Sequence, residues 1–174
     1  MSMNLLLPNE DQPIIWRGPL IGRAITQLWG DVMWGDLDYL LIDLPPGTSD
    51  ASLSTMQSLP VNGIVMVTTP QSLASMVVRK AVHMAQSVQT PILGVVENMA
   101  YFVCPDTGKH HEIFGPSHSE EVAQAANVQI IAKLPIDPDV AAMCDAGQIE
   151  KVSFKEMPDF LDAFLQVIPV KAKS

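Results

Sequence analysis

The sequence predicts an α/β fold in which a parallel sheet is flanked by helices on both faces, a three-layer α/β/α arrangement. Short apolar runs alternate along the chain with stretches of helical periodicity, and glycine or proline separates most of them. Of the 174 residues, 48% are hydrophobic and 17% are charged, a composition that excludes a disordered chain. The length favours one domain, which we expect to span residues 1–174.

The predicted strands are continuous apolar runs bounded by turn-forming residues. Because the runs do not alternate with polar residues, each strand is expected to be buried on both faces of the sheet. They cover residues 1–8, 38–43, 63–68, 91–96 and 129–134.

The predicted helices occupy the segments between these strands. The clearest is 73–88, where apolar side chains recur at helical spacing and form a single stripe along one face. Proline precedes or follows several of the others, as expected at helix ends. The helices are predicted at 19–32, 50–59, 117–127, 137–146 and 156–168.

Charge and cysteine content limit the classes of partner. The formal net charge of −9 argues against nucleic acid and against an anionic membrane surface, because both require a basic face. No apolar run approaches the roughly 20 residues that a transmembrane helix needs. Cys104 and Cys144 cannot form a disulfide framework, so a reducing cytoplasmic location is expected.

Polar residues follow three of the predicted strands, and ligands of parallel sheets bind at the carboxyl ends of strands. Asp43 could hold a magnesium-bound water and Gly47 could offer its backbone N–H to a phosphate. Asp43 could equally cap the turn that follows it. Asn98 could read a base edge or serve as a turn residue. The segment 135–137 could border a ligand, or Asp137 could be the N-cap of the next helix.

Taken together, these segments resemble one known family. The matching stretches read Trp-Arg-Gly-Pro at 16–19, Asp-Leu-Pro-Pro-Gly at 43–47, Glu-Asn-Met at 97–99 and Cys-Pro at 104–105. On these motifs the chain is similar to the Mrp/ApbC family of iron–sulfur cluster carrier ATPases, relatives of the MinD and ParA deviant P-loop NTPases. The resemblance extends over residues 1–164 and implies a SIMIBI-type nucleotide-binding fold.

The resemblance also implies roles for particular residues. Asp43 would be the catalytic carboxylate that holds Mg²⁺ through a water, and Gly47 would donate its N–H near the γ-phosphate of ATP. Asn98 would read the adenine, with Pro135 and Asp137 bordering the base. Cys104 would bind an iron–sulfur cluster shared by a homodimer. The implied partners are apo iron–sulfur proteins in the cytoplasm.

The chain departs from this family at the phosphate loop. The family begins with a strand and a glycine-rich loop that carries its essential lysines, whereas the sole Gly-Lys pair here is Gly108-Lys109, followed by His110. We therefore expect a partial domain that lacks the phosphate loop and does not hydrolyse ATP alone. A segment preceding this chain would have to supply the loop.

The second departure concerns the cysteine pair. Thr107 stands where the family has its second cysteine, so two protomers would offer two thiolates, whereas iron–sulfur clusters usually have four cysteine ligands. His110, His111 and His118 could complete a site or could simply be polar loop residues. Cys144 is expected to be a small buried side chain in a helix.

The resulting functional hypothesis is an ATP-dependent carrier that takes part in the assembly of iron–sulfur clusters and in their transfer to apo-proteins. Two alternatives remain. One is a nucleotide-independent module that dimerises or acts as a scaffold. The other is a partitioning ATPase similar to MinD and ParA, which the sparse C-terminal basic residues disfavour because they cannot form an amphipathic membrane helix.

Overall fold

The fold is that of an α/β protein, and the chain separates into two compact units. The computed structural model describes residues 1–2, 5, 18–153 and 155–168. The first unit is Met1–Val61 and the second is Asn62–Ser174. Most of the strand predicted at 1–8, and the Trp-Arg pair at 16–17, lie outside the described residues.

The first unit contains two helices that pack against each other. Helix α1 spans Pro19–Gly30 and begins with proline at a position where the missing N–H costs no helical hydrogen bond. Helix α2 spans Asp50–Ser58 and is capped by Ser49, whose side chain accepts a hydrogen bond from Ser52 N. Both helices confirm the sequence predictions.

The strand predicted at 38–43 is wrong. These residues form no strand, and all but Leu40 are exposed. Leu41, for example, is 79% exposed. An apolar run becomes a buried strand only when neighbouring strands take up its backbone N–H and C=O groups. Among the described residues, none pairs with this segment.

The second unit contains a four-stranded sheet flanked by helices. Strand β2 is central and pairs in parallel with β1 and with β4, while β3 pairs with the far end of β2 in antiparallel orientation. The sheet is therefore mixed rather than purely parallel. Its strands are β1 (Ile64–Thr68), β2 (Ile92–Val103), β3 (His110–His111) and β4 (Ile130–Pro135).

The helices of this unit agree with the predicted segments. Helices α3 and α4 pack on each other and on the sheet, and α6 contacts β4. A 3₁₀ turn at Ile149–Lys151 follows α5. Their bounds are α3 (Ser72–Ser87), α4 (Ser119–Ala126), α5 (Pro138–Asp145) and α6 (Met157–Val167). No helix in the described ranges is long and apolar enough to cross a membrane.

The core of the second unit lies between the sheet and the helices α3 and α4. Val82 of α3, Val95 of β2 and Val122 of α4 are completely buried. Strands β2 and β4 approach so closely at Gly94 that a Cβ there would lie 2.6 Å from Cγ1 of Ile131. Tight packing along the β2–β4 ladder therefore fixes the position of the residues that follow Gly94 on β2.

Candidate functional site

The loop that follows residues 38–43 is held by helix α2. Ser52, in the first turn of α2, donates a hydrogen bond of 3.3 Å to the carbonyl of Pro45. Gly47 has a φ of +76°, a left-handed conformation that glycine adopts without steric cost. Asp43 precedes this turn and is exposed. The loop thus presents a carboxylate and a backbone turn that tolerates close approach.

The second group of predicted residues lies on β2 and β4. Asn98 is half-buried on β2, and its Oδ1 accepts a hydrogen bond of 2.9 Å from the backbone N–H of Met99. Pro135 ends β4 and pairs with Tyr101 of β2, three residues beyond Asn98. The parallel pairing of β2 and β4 therefore brings Asn98 and the 135–137 loop to neighbouring strands.

Asp137 has a structural role at this edge. Its Oδ1 accepts hydrogen bonds from the backbone N–H of Asp139 at 2.9 Å and of Val140 at 3.3 Å. The side chain thus satisfies two of the donors that the first turn of α5 leaves free. The N-cap interpretation is confirmed, and it leaves Oδ2 as the oxygen without a capping bond.

Asp43 and Gly47 belong to the first compact unit, whereas Asn98, Cys104, Pro135 and Asp137 belong to the second. Within the second unit, Cys104 is the first residue of the loop that connects β2 with β3. Its backbone N–H donates to the carbonyl of Lys109 at 2.9 Å, and its own carbonyl accepts from Gly108 N at 2.8 Å. Gly108 has a φ of +67°, which allows the chain to reverse in this short turn.

The same turn favours ionisation of the Cys104 thiol. A hydrogen bond from the Thr107 side chain lowers the pKa of Cys104, and the backbone N–H groups of Thr107 and Asp106 lower it further. The thiol is half-buried and free. Thr107, in the place of the family's second cysteine, is thus the main cause of the lowered pKa of Cys104. A thiolate is the form of cysteine that binds metals.

The histidines near this hairpin point in different directions. His110 pairs with Val103 and its ring stacks on Tyr101, with centroids 4.2 Å apart. Because side chains alternate along a strand, His110 lies on the face of Val103, while His111 lies on the face of Phe102. His118 contacts the carboxylate of Glu121 instead, at 3.0 Å.

Cys144 differs from its prediction. It lies in α5 as expected, but it is exposed rather than buried. The described part of α5 contains no buried residue, because the helix packs chiefly against the following 3₁₀ turn. The expectation of a small buried side chain is therefore wrong.

Glu97 belongs to the Glu-Asn-Met motif, and the sequence assigns it no role. It precedes Asn98 on β2, is completely buried, and accepts a hydrogen bond of 2.7 Å at Oε2 from the Ser117 hydroxyl. The hydroxyl oxygens of Ser117 and of Ser119, the first residue of α4, are 2.8 Å apart and form a hydrogen bond. A carboxylate inside the apolar run Val-Val-Glu at 95–97 was the available signal, because buried glutamates are rare unless a partner is present.

Comparison with known proteins identifies the family. Residues 1–168 match the model of the family described as ParA, NUBPL iron-transfer P-loop NTPase. The chain belongs to this family. The match extends over both compact units and over all the candidate residues above, so the resemblance inferred from the motifs is confirmed.

Curated relatives carry the name iron-sulfur cluster carrier protein. The protein of Aquifex aeolicus is 43% identical over 98% of this chain and 46% of its own length. That of Saccharolobus solfataricus is 42% identical over 98% of this chain and 59% of its own length. The chain thus spans about half the length of the curated relatives it matches.

Solved structures agree with the fold. The nucleotide-binding protein of Archaeoglobus fulgidus, determined in complex with ADP, is 44% identical with a TM-score of 0.70, over 82% of this chain and 57% of that chain. MinD of Aquifex aeolicus has a TM-score of 0.56 at 15% identity, over 91% of this chain and 65% of that chain. The MinD likeness supports the fold alone.

Proposed function

We propose that this chain carries iron–sulfur clusters for delivery to apo-proteins in the cytoplasm, with ATP and Mg²⁺ as controlling ligands. The observation that carries the proposal is the turn at Cys104, a free and half-buried cysteine whose pKa is lowered by Thr107 and Asp106. The relatives named iron-sulfur cluster carrier protein support the same assignment.

The cluster is cargo that two protomers share. Each protomer supplies one thiolate, Cys104, because Thr107 replaces the second cysteine of the family motif. His111 pairs with Phe102, two residues before Cys104, and is the imidazole that we propose as an additional ligand. A site with two thiolates holds its cluster less tightly than one with four, since iron–sulfur clusters are usually held by four cysteines.

The nucleotide part of the proposal rests on two sets of residues. Asp43 would hold Mg²⁺ through a water, and Gly47 would bring its backbone N–H near the γ-phosphate. Its left-handed φ permits the close backbone approach that this contact requires. Asn98 would read the adenine beside the Pro135 and Asp137 loop. The Asn98 side-chain N–H₂ has no hydrogen bond to a described residue and could donate to a base.

The test of cargo binding is reconstitution with iron and sulfide under anaerobic conditions, followed by visible absorbance of the cluster. We expect a weak, labile chromophore that Cys104→Ser abolishes and Thr107→Cys strengthens. Cys144→Ser is the matched control, because it removes the other free thiol from an exposed position in α5. His111→Ala weakens the chromophore if the imidazole is a ligand, and His110→Ala leaves it unchanged.

Two results would contradict the proposal. A full cluster on Cys104→Ser would show that the cargo site is elsewhere. A chain that binds neither iron nor Mg-ATP, yet self-associates in sedimentation experiments, would support the scaffold alternative instead.

A further inference from the structure

A cleft of about 410 Å³ lies beside the buried carboxylate of Glu97 in the second compact unit. The lining includes His111, the candidate imidazole ligand of the cluster, but neither Cys104 nor the residues proposed to contact nucleotide. Six further residues line the cleft with their charged, aromatic or hydroxyl groups: Glu97, Tyr101, His110, Glu112, Ser117 and Lys133.

The Glu97 carboxylate has one satisfied oxygen and one unsatisfied oxygen. Oε2 accepts the hydrogen bond from Ser117. Oε1 is buried and, within the residues that the structure describes, has no hydrogen-bond partner. A buried carboxylate oxygen without a donor is costly, and the cost is larger for a charged acceptor than for a neutral one. A ligand that donates an N–H to Oε1 would remove this cost.

The charges around the cleft favour a cationic donor. Lys133 pairs with Glu97 in the β2–β4 ladder, but its Nζ lies 2.9 Å from Oε1 of Glu120. The hydrogen bond from Lys133 lowers the pKa of Glu120, so this lysine is already compensated by a carboxylate. Glu112 adds a further negative charge to the lining. The cleft therefore has an excess of negative charge.

The shape of the lining distinguishes among cations. The described residues contain no group of three or more histidines, cysteines, aspartates or glutamates that could hold a metal ion. The rings of Tyr101 and His110, which both line the cleft, are stacked face to face with an interplanar angle of 6°, so a planar group can only lie on the outer face of this stack. Burial, and then the carboxylate of Glu156, raise the pKa of Tyr101, so its ring remains neutral. A planar cation stacks on the face of an aromatic ring better than a compact ammonium.

We propose that this cleft binds a guanidinium group, with one N–H donating to Oε1 of Glu97 and the guanidinium plane lying on the Tyr101–His110 stack. An arginine presented by a protein partner and a free arginine-like metabolite both carry this group. Binding here does not depend on a cluster or a nucleotide, so the test can fail without affecting the proposed function.

The experiment is a titration of the isotope-labelled chain with L-argininamide, followed by amide chemical shifts in nuclear magnetic resonance spectra. We expect saturable shifts at residues lining the cleft. Glu97→Gln keeps an oxygen that can accept from Ser117 but removes the charge, and it should weaken binding by roughly tenfold or more. Glu150→Gln makes the same charge change at an exposed position in the 3₁₀ turn and should leave binding unchanged.

Two further arms identify the ligand. L-lysinamide should bind more weakly than L-argininamide, and Tyr101→Leu should reduce that difference because it removes one ring of the Tyr101–His110 stack. An acetylated, amidated Gly-Arg-Gly peptide binds at least as tightly as L-argininamide if the source is a protein partner, and more weakly if the source is a free metabolite.

Several outcomes would overturn the proposal. These are the absence of saturable shifts, equal affinities of the unsubstituted chain and Glu97→Gln, or binding of Mn²⁺ at Glu97 that L-argininamide does not displace. If Glu97→Gln fails to give a folded spectrum, the Tyr101→Leu variant tests the proposal by itself. Unchanged affinity of that variant for L-argininamide would contradict the stacking geometry.

Discussion

The close approach of β2 and β4 at Gly94 predicts that even the single methyl group of alanine at this position lowers the stability of the fold. A Cβ at this position would lie 2.6 Å from Cγ1 and 2.7 Å from Cδ1 of Ile131, and 3.1 Å from the carbonyl oxygen of Gln129. Favourable carbon–carbon contacts are about 3.5–4.0 Å long, so Gly94→Ala requires the two strands or the Ile131 side chain to move. We expect it to lower the free energy of unfolding by about 1–3 kcal/mol.

The assay is thermal and urea unfolding followed by circular dichroism. In a chain of this length each kcal/mol corresponds to roughly 2–4 °C in Tm. Gly30→Ala is the matched control, because a Cβ there meets no atom within 4 Å and the residue ends helix α1. Alanine at position 30 should be neutral or slightly stabilising, since it reduces the conformational freedom of the unfolded chain.

A double-mutant cycle identifies the atom responsible. Ile131→Ala removes Cγ1 and Cδ1 and itself costs about 2–5 kcal/mol. In that background Gly94→Ala meets chiefly the Gln129 oxygen, which can move by a few tenths of an ångström. The two substitutions together should therefore cost less than the sum of their separate effects, by about 0.5–3 kcal/mol. An additive cycle, or a Gly94→Ala chain as stable as the unsubstituted one, would refute the described strand packing.

Three further predictions follow from the other candidate residues. In a Cys144→Ser background, alkylation of Cys104 by iodoacetamide should rise with pH at lower pH than for an ordinary thiol, because the pKa is lowered. Thr107→Val should move the rise to higher pH and Thr107→Ser should restore it. Asp137→Ala should lower the free energy of unfolding by about 0.5–2 kcal/mol in urea titrations, whereas Asp137→Asn keeps a capping oxygen. The isolated chain should release no phosphate from ATP above a protein-free blank, because the sequence lacks the lysine-bearing loop that neutralises phosphates. Release that Asp43→Ala abolishes would contradict this expectation.

The helices of the second unit and its strands β1 and β4 could be predicted because their signal is local, whereas β2 continues to Val103, seven residues beyond the predicted end at residue 96. The apolar stripe of α3 and the buried runs of β1, β2 and β4 appear in the sequence at the periods of helix and strand. The segment 38–43 carries the same apolar signal but lacks a partner among the described residues, so the same rule gave the wrong result there. Strand β3 consists of two polar residues, His110 and His111, and only the pairing with β2 defines it.

The candidate site could be predicted where the type of residue alone determines the chemistry. The Cys-Pro motif at 104–105 marked the cluster candidate, but the effect of Thr107 on the pKa of Cys104 depends on the turn geometry. Glu97 was visible as a carboxylate in an apolar run. Its contact with Ser117 could not be inferred, because that contact depends on how the start of α4 packs over β2.

Strand β2 connects the proposed nucleotide-binding residue Asn98 with the proposed cluster ligand Cys104. Asn98 and Cys104 lie on or directly after it, six residues or roughly 20 Å apart at the rise of an extended strand. Between them the β2–β4 register shifts, and Met99 has a φ of +56°, a conformation that non-glycine residues adopt at a cost. The surrounding contacts must outweigh this cost, and Asn98 Oδ1 supplies one by accepting from Met99 N. A base bound to the side-chain amide of Asn98 would therefore contact the side chain that stabilises the irregular part of β2 at Met99. The segment beyond that irregularity leads without a further break in β2 to the Cys104 turn.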